Sequence, residues 1–282
     1  MDYHIWQRLA VFGYLAAVAL SVAVMLFGRE INGSKRWLAL GPFSFQPSEF
    51  AKVALILFLA DLVTKNVKTI GKMWTLCRIM FWILPIVGLV GASNLSTAII
   101  ILGIGVILIF VASPKYAQFA MMGIAGACFM GIFLALESYR LERLAIWRNP
   151  EKYEKGYQTL QGLYAIGSGG VFGVGIGNSV QKLGFVPEAQ NDMIFSIICE
   201  ELGLAGAGII VFLFLLLIWR FFLIASGSRD LFGALIATGA MAHMMIQVIL
   251  NIAVVTNTIP NTGITLPFIS YGGTSVMFLL IE

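Results

Sequence analysis

Two stretches of this chain, Ile79–Pro114 and Leu231–Ile281, contain no Asp, Glu, Lys or Arg. A bilayer core asks for about 20 apolar helical residues per crossing. The first stretch is too long for one crossing and too short for three. It predicts two helices joined by a tight turn near Ala92–Ser96. The second is cut by the turn-forming run Asn257–Gly263 into a seventh and an eighth span. Leu9–Phe27, Pro47–Thr64, Tyr116–Leu136 and Met193–Trp219 supply the others. The expected fold class is therefore all-α: a polytopic membrane helix bundle with about eight transmembrane helices, forming a single domain over 1–282. Only 11% of the residues are charged, against roughly 25% in soluble domains. That much apolar surface cannot hide in one water-soluble core. The net charge of +4 reflects basic loop residues and points to no nucleic-acid partner.

Basic residues also set the expected orientation. Lys65, Lys68, Lys72 and Arg78 fall in one loop, and Arg8, Lys115, Arg220 and Arg229 fall on the same side. The short loops opposite hold Arg29, Lys35 and Arg36. The positive-inside rule then places Met1 and the C-terminus in the cytoplasm and the long loop 137–192 outside. That loop begins charged, turns glycine-rich between Gly167 and Gly177, and ends in Pro187-Glu188-Ala189-Gln190-Asn191-Asp192. Its apolar and aromatic residues predict a structured, membrane-associated segment. The glycine run lacks the Lys-Ser/Thr of a phosphate loop and marks only backbone that must turn sharply or approach a neighbour closely. Cys77, Cys128 and Cys199 form no C-x-x-C pair and read as small apolar residues.

Ionisable residues at membrane depth are functional candidates by default. Glu49 and Lys52 share a face of the second helix at i,i+3, just after Gln46-Pro47. The pair reads either as a helix cap with a snorkelling lysine or, as favoured here, as Lys52 facing a polar cavity open to the outside, where it can meet a phosphate or sugar. Arg36-Trp37 on the outer side reads as an interfacial anchor. Glu200 and Glu201 divide between a helix-dipole role and cavity lining or pairing with Lys52 or Arg36. Asp61 is expected to pair with Lys65, and His243 to be a satisfied packing residue. Asp192 closes the outer loop where water meets membrane. By position alone it is a helix cap or a catalytic carboxylate.

Four stretches carry a family resemblance. They are Asn32-Gly33-Ser34-Lys35-Arg36-Trp37 running on through Gln46-Pro47-Ser48-Glu49 to Lys52; Gly156-Tyr157-Gln158 with Ala165-Ile166-Gly167-Ser168-Gly169-Gly170; Gln181 to Phe195 with Glu200-Glu201-Leu202-Gly203; and Leu266-Pro267-Phe268-Ile269-Ser270-Tyr271-Gly272-Gly273. In this order, over nearly the whole chain, they resemble the shape, elongation, division and sporulation (SEDS) family of FtsW, RodA and SpoVE, and its division and sporulation members more than RodA. The family has ten spans, so the resemblance implies that this chain begins at the third and stops inside the tenth. The family's Thr-Asp-Phe is Asn191-Asp192-Met193 here, which keeps the acid. Its Pro-Asp-Leu-Gly-Thr-Ala turn is Ser93-Asn94-Leu95-Ser96-Thr97-Ala98, which loses one.

The resemblance implies a bacterial plasma-membrane peptidoglycan glycosyltransferase of cell division. It would polymerise lipid II with undecaprenyl pyrophosphate as leaving group, beside a class B penicillin-binding protein transpeptidase and other division proteins. Asp192 is the expected catalytic base. Lys52, Arg36, Glu49, Gln46, Glu188, Glu201 and Tyr271 are the expected substrate-binding residues. No cofactor is expected; a divalent cation at the pyrophosphate is compatible with the chemistry, but no ligand cluster demands one. A lipid II transporter and a non-catalytic scaffold of the division machinery are the alternatives.

Overall fold

The computed structural model describes residues 3–31, 34–40, 43–120, 123 and 144–282. The expected fifth span, Tyr116–Leu136, lies mostly outside them, as do Cys128 and the first residues of the long loop. Five described helices are long and apolar enough to cross a membrane: α1 (His4–Phe27), α3 (Met73–Ser93), α4 (Leu95–Ala112), α6 (Ile194–Ser226) and α7 (Leu231–Val255). The chain is a multi-pass membrane protein. Helix α2 (Pro47–Asn66) has the length of a span but carries four charges. They are matched within the helix: Lys52 with Glu49 at 3.0 Å, and Lys65 with Asp61 at 2.6 Å.

The chain divides into two compact units: 1–118 with 218–246 and 272–282, and 119–217 with 247–271. In the first unit, α1 to α4 pack with the early part of α7 and the short α8 (Gly273–Ile281). Tyr14 donates to the Trp82 carbonyl at 2.6 Å and stacks on Phe58. Small residues bring helix axes close, as in other membrane bundles. Gly239 of α7 faces Ile56 of α2, and Gly103 of α4 faces Ile246 of α7, both too tightly to admit a methyl group. Three short antiparallel strands, β1 (Arg29–Ile31), β2 (Ser34–Leu40) and β3 (Phe43–Phe45), lie between α1 and α2. They are a small addition to the all-α reading. The turn expected near Ala92–Ser96 is present. Asn94 caps α4, its side-chain oxygen accepting from the Thr97 amide at 3.2 Å. That gives a neutral residue a structural reason to stand there.

Within the expected eighth span, the helix described is Gly273–Ile281, and residues 264–272 before it are not helical. Two carbonyls of this segment are claimed by side chains of α7: Gln247 Nε2 donates to that of Thr265 at 3.0 Å and Asn251 Nδ2 to that of Ile264 at 2.6 Å. Pro267 and the Gly272-Gly273 pair disfavour helix in addition. Helix α8 is anchored on the first unit. Thr274 donates to the Ser44 carbonyl, and Phe278 packs on Phe45 and Phe50.

In the second unit, α5 (Tyr157–Gly169) leads into the glycine run, and α6 is broken near its start, where Gly203 has φ 68° and ψ −170°. The break and the glycine run satisfy one another. Val174 and Gly175 amides donate to the Glu200 and Glu201 carbonyls at 3.0 Å each. In return, the Leu204 and Ala205 amides donate to the Gly170 and Val171 carbonyls at 2.9 and 3.0 Å. A Cβ on Gly173 would stand 2.1 Å from the Glu201 carbonyl oxygen. Gly169 and Gly173 are the glycines that allow close approach to α6.

Candidate functional site

Asp192 sits two residues before α6, and the backbone that carries it is clamped. Three successive carbonyls are taken by the segment 251–271: Gln190 by the Tyr271 amide at 2.8 Å, Asn191 by the Ser270 hydroxyl at 2.6 Å, and Asp192 by Asn251 Nδ2 at 2.9 Å. Asn251 is fully buried within an apolar helix. Both hydrogens of its amide are used, one on Asp192 and one on Ile264.

The Asp192 side chain is buried to 8% exposure. Gln158 of α5 donates to its Oδ1 at 3.4 Å. Burial is the largest influence and pushes the carboxyl up to about 6; Glu188 adds repulsion, while the Asp192 amide and Gln158 pull the other way. A carboxyl in that range is poised to exchange a proton near neutral pH.

The remaining candidates fall into two sets. In the second unit, Glu188 and Tyr271 belong with Asp192. Glu188 is exposed in the left-handed region (φ 54°), accepts from the Asn191 amide, and acts electrostatically on Asp192. Tyr271 is tied through its backbone to Gln190 and leaves its ring 75% exposed. Glu201 is engaged elsewhere, with Lys182 at 2.6 Å. Glu200 accepts from the Ser179 hydroxyl and from the Val180 amide at 3.1 Å. These two acids thus hold the loop to α6.

In the first unit, Gln46, Glu49 and Lys52 line the start of α2. Gln46 donates to Ser48 Oγ at 3.1 Å. Lys52 is 1% exposed, so the expected cavity open around its ammonium is not present in this conformation: the head group is sealed against Glu49. Arg36 on β2 is half-buried and donates from Nε to the Ser93 carbonyl at 3.3 Å, beside a small hollow shared with Ser48 and Asn94. His243 is buried with its Nδ1 2.6 Å from Glu282 Oε2, a satisfied packing residue as expected.

The family's sequence profile, described as a cell cycle protein of the FtsW, RodA and SpoVE type, matches residues 1–282. The chain belongs to the FtsW/RodA/SpoVE family. It is 40% identical to stage V sporulation protein E of Bacillus subtilis over 294 aligned positions, covering 100% of this chain and 78% of that one. It is 38% identical to a relative named probable peptidoglycan glycosyltransferase FtsW in Coxiella burnetii, covering 97% of this chain and 76% of the relative. Among solved structures, a chain of a peptidoglycan synthase complex that coordinates polymerization and crosslinking superposes with a TM-score of 0.85 at 29% identity, covering 99% of this chain and 80% of that one. Rod shape determining protein RodA of Thermus thermophilus superposes at 0.70 with 28% identity, covering 99% and 77%.

Reading residues singly missed the polar groups that hold the family's aspartate: Asn251, Asn261 and Ser270 as anchors, and Gln158 as more than a motif letter. Asn251 did carry a signal, because a lone amide in an uncharged helix must find partners. Gln158 carried none, lying 34 positions from Asp192.

Proposed function

We propose that this chain is a peptidoglycan glycosyltransferase that polymerises lipid II into glycan strands, with Asp192 as general base. The observation that carries the base assignment is a buried carboxyl, raised to about 6 by that burial and held on a clamped backbone. The relatives named for the same activity support the substrate class.

The acceptor's GlcNAc 4-hydroxyl gives its proton to Asp192 as its oxygen attacks the anomeric carbon of the donor MurNAc. The bond from that carbon to the pyrophosphate oxygen breaks, and undecaprenyl pyrophosphate leaves with the electron pair. Asp192 then returns its proton to water. A positioned base contributes about 10²–10⁴-fold. Lys52 and Arg36 are assigned the charge on the pyrophosphate, with Glu49 holding Lys52 and Gln46 shaping the start of α2. Since the Lys52 ammonium is sealed, it meets substrate only when its pair with Glu49 opens. Glu188 and Tyr271, both exposed beside the Asp192 segment, are assigned sugar contacts. Glu201 supports the loop. The plasma membrane is the assigned location, with Met1 cytoplasmic and Asp192 outside, and a class B penicillin-binding protein transpeptidase is the assigned partner.

The test is polymer formation from purified lipid II in detergent, where transport between compartments cannot register. The parent protein should give glycan strands and Asp192→Asn almost none. Near-normal polymer from Asp192→Asn would end the base assignment.

A further inference from the structure

Gln158 is fully subscribed. Its Nε2 donates to the Pro187 carbonyl at 3.3 Å and to Asp192 Oδ1 at 3.4 Å, and its Oε1 accepts from Asn261 Nδ2 at 3.1 Å. A primary amide has two hydrogens and one carbonyl oxygen, so all three are placed. Turning the amide over would set Oε1 against two acceptors, Pro187 O and Asp192 Oδ1, and set the NH2 group against the donor on Asn261. The orientation is therefore fixed by its neighbours.

Asn261 is fixed in its turn. Its Oδ1 accepts from the Gly263 amide at 3.2 Å, so its Nδ2 must point at Gln158. Gly263 has φ +67°, a conformation that other residues adopt only with strain. It also flanks the other side of the carboxylate, since a Cβ there would lie 3.7 Å from Asp192 Oδ2. The order Gly263–Asn261–Gln158–Asp192 thus closes around the carboxyl and treats its two oxygens differently.

We infer that Gln158 is a positioning residue which, aligned by Asn261, occupies Oδ1 of Asp192 and leaves Oδ2, beside Gly263, as the oxygen that takes the acceptor's proton. The inference rests on Asp192 being the base. Holding one oxygen stops the carboxylate from rotating, so the remaining lone pairs keep one direction, as a productive approach requires. Gln158 also opposes burial by donating to the ionised form, and Glu188, the charged neighbour acting on Asp192, works against it.

The experiment is the pH dependence of kcat/KM for lipid II polymerisation by the full-length protein, compared for the parent, Gln158→Met, Gln158→Lys and Asn261→Ala. Gln158→Met removes the donor and should move the acidic limb up by about half to one pH unit. Asn261→Ala frees the amide to turn over and should move it the same way by less. Gln158→Lys replaces the donor by a cation and should move the limb down. A residue that merely packs would lower rates at every pH and move no limb. Unmoved limbs in all three variants, or shifts of one sign for Met and Lys alike, would overturn the inference. If Gln158→Met fails to fold, Asn261→Ala against Gln158→Lys still decides the sign. Asp192→Asn in the same assay separates the two readings. An inactive Asp192→Asn with unmoved limbs removes only the Gln158 role, whereas an active one removes the base itself.

Discussion

Lys52 Nζ stands 3.0 Å from Glu49 Oε1 one turn along α2, and both side chains are nearly closed to solvent. Removing one member of such a pair leaves the other charged and buried, which costs about 3–5 kcal/mol. Lys52→Ala should therefore lower thermal stability in detergent as well as polymerisation. Replacing both by apolar residues of similar size, Glu49→Leu with Lys52→Met, should recover most of the stability. It should leave polymerisation about 10²-fold or more below the parent if the lysine's charge serves the pyrophosphate. Full activity in the double variant would make the pair purely structural.

Burial of Asp192 has a stability consequence whose sign is fixed. Its folded value of about 6 lies above its ordinary value of 3.8. The fold consequently favours the protonated acid, an advantage present below about pH 4 and lost as pH rises through 6. The ionised form is the one the proposed base uses, and above pH 6 the protein carries a penalty of roughly 2–3 kcal/mol for holding it. Asp192→Asn should melt at a higher temperature than the parent at pH 7.5, and the difference should shrink towards zero at pH 4. The parent's kcat/KM should fall tenfold per unit below pH 6. A melting difference independent of pH would mean that the carboxyl is not strained by its surroundings.

How legible these features were depends on the distance over which they act. The Glu49–Lys52 and Asp61–Lys65 pairs follow from helical spacing alone, and the turn at Asn94 from the length of an uncharged run. The strands β1 and β3 have three residues each, too short to impose a pattern, and β2, Ser34-Lys35-Arg36-Trp37-Leu38-Ala39-Leu40, lacks apolar–polar alternation. Ile264–Ser270 is apolar, yet it is not helical. The carbonyls of Ile264 and Thr265 are taken by Asn251 and Gln247, amides on another helix, and residues 267–269 turn. The surroundings of Asp192 are set by Gln158, Asn251, Asn261 and Ser270, drawn from four separate places in the chain. Position left that carboxylate between a cap and a catalytic acid, the family resemblance favoured the second, and only the fold shows how it is held.

Gly173 and Gly203 meet backbone to backbone. A Cβ on Gly203 would lie 2.4 Å from the Gly173 nitrogen, and the residue's φ of +68° is itself hostile to a side chain. Gly203→Ala should cost several kcal/mol, since no flexible side chain can yield. It should release the glycine run from α6, read as faster proteolysis between Gly170 and Gly177 with α6 intact. Gly177→Ala, where no neighbour lies within 4 Å, should cost only the strain of its positive φ, about 1–2 kcal/mol. Equal sensitivity at the two positions would mean that close approach is not what selects glycine at 203.

The same junction fixes the depth of the loop. Beyond its break, the uncharged part of α6 runs from Leu204 to Trp219, a rise of about 24 Å against a hydrocarbon core of about 30 Å. With Arg220 at the inner surface, the break is expected at or within the outer edge of the hydrocarbon, and residues 170–175, bonded to it, at the same level. Between Ser168 and Gln181 the chain carries no charge, and Phe172 and Ile176 are 83% and 82% exposed. Leu204 on α6 continues that apolar surface at 71% exposure. Spin labels at Phe172→Cys and Ile176→Cys, on a background with Cys77, Cys128 and Cys199 replaced by serine, should relax more with oxygen than with a water-soluble nickel chelate in lipid vesicles. A label at Glu188→Cys, on the exposed turn before Asp192, should show the reverse. Dominant nickel relaxation at 172 and 176 would place the loop in water, and the exposed side chains would then need a protein to cover them.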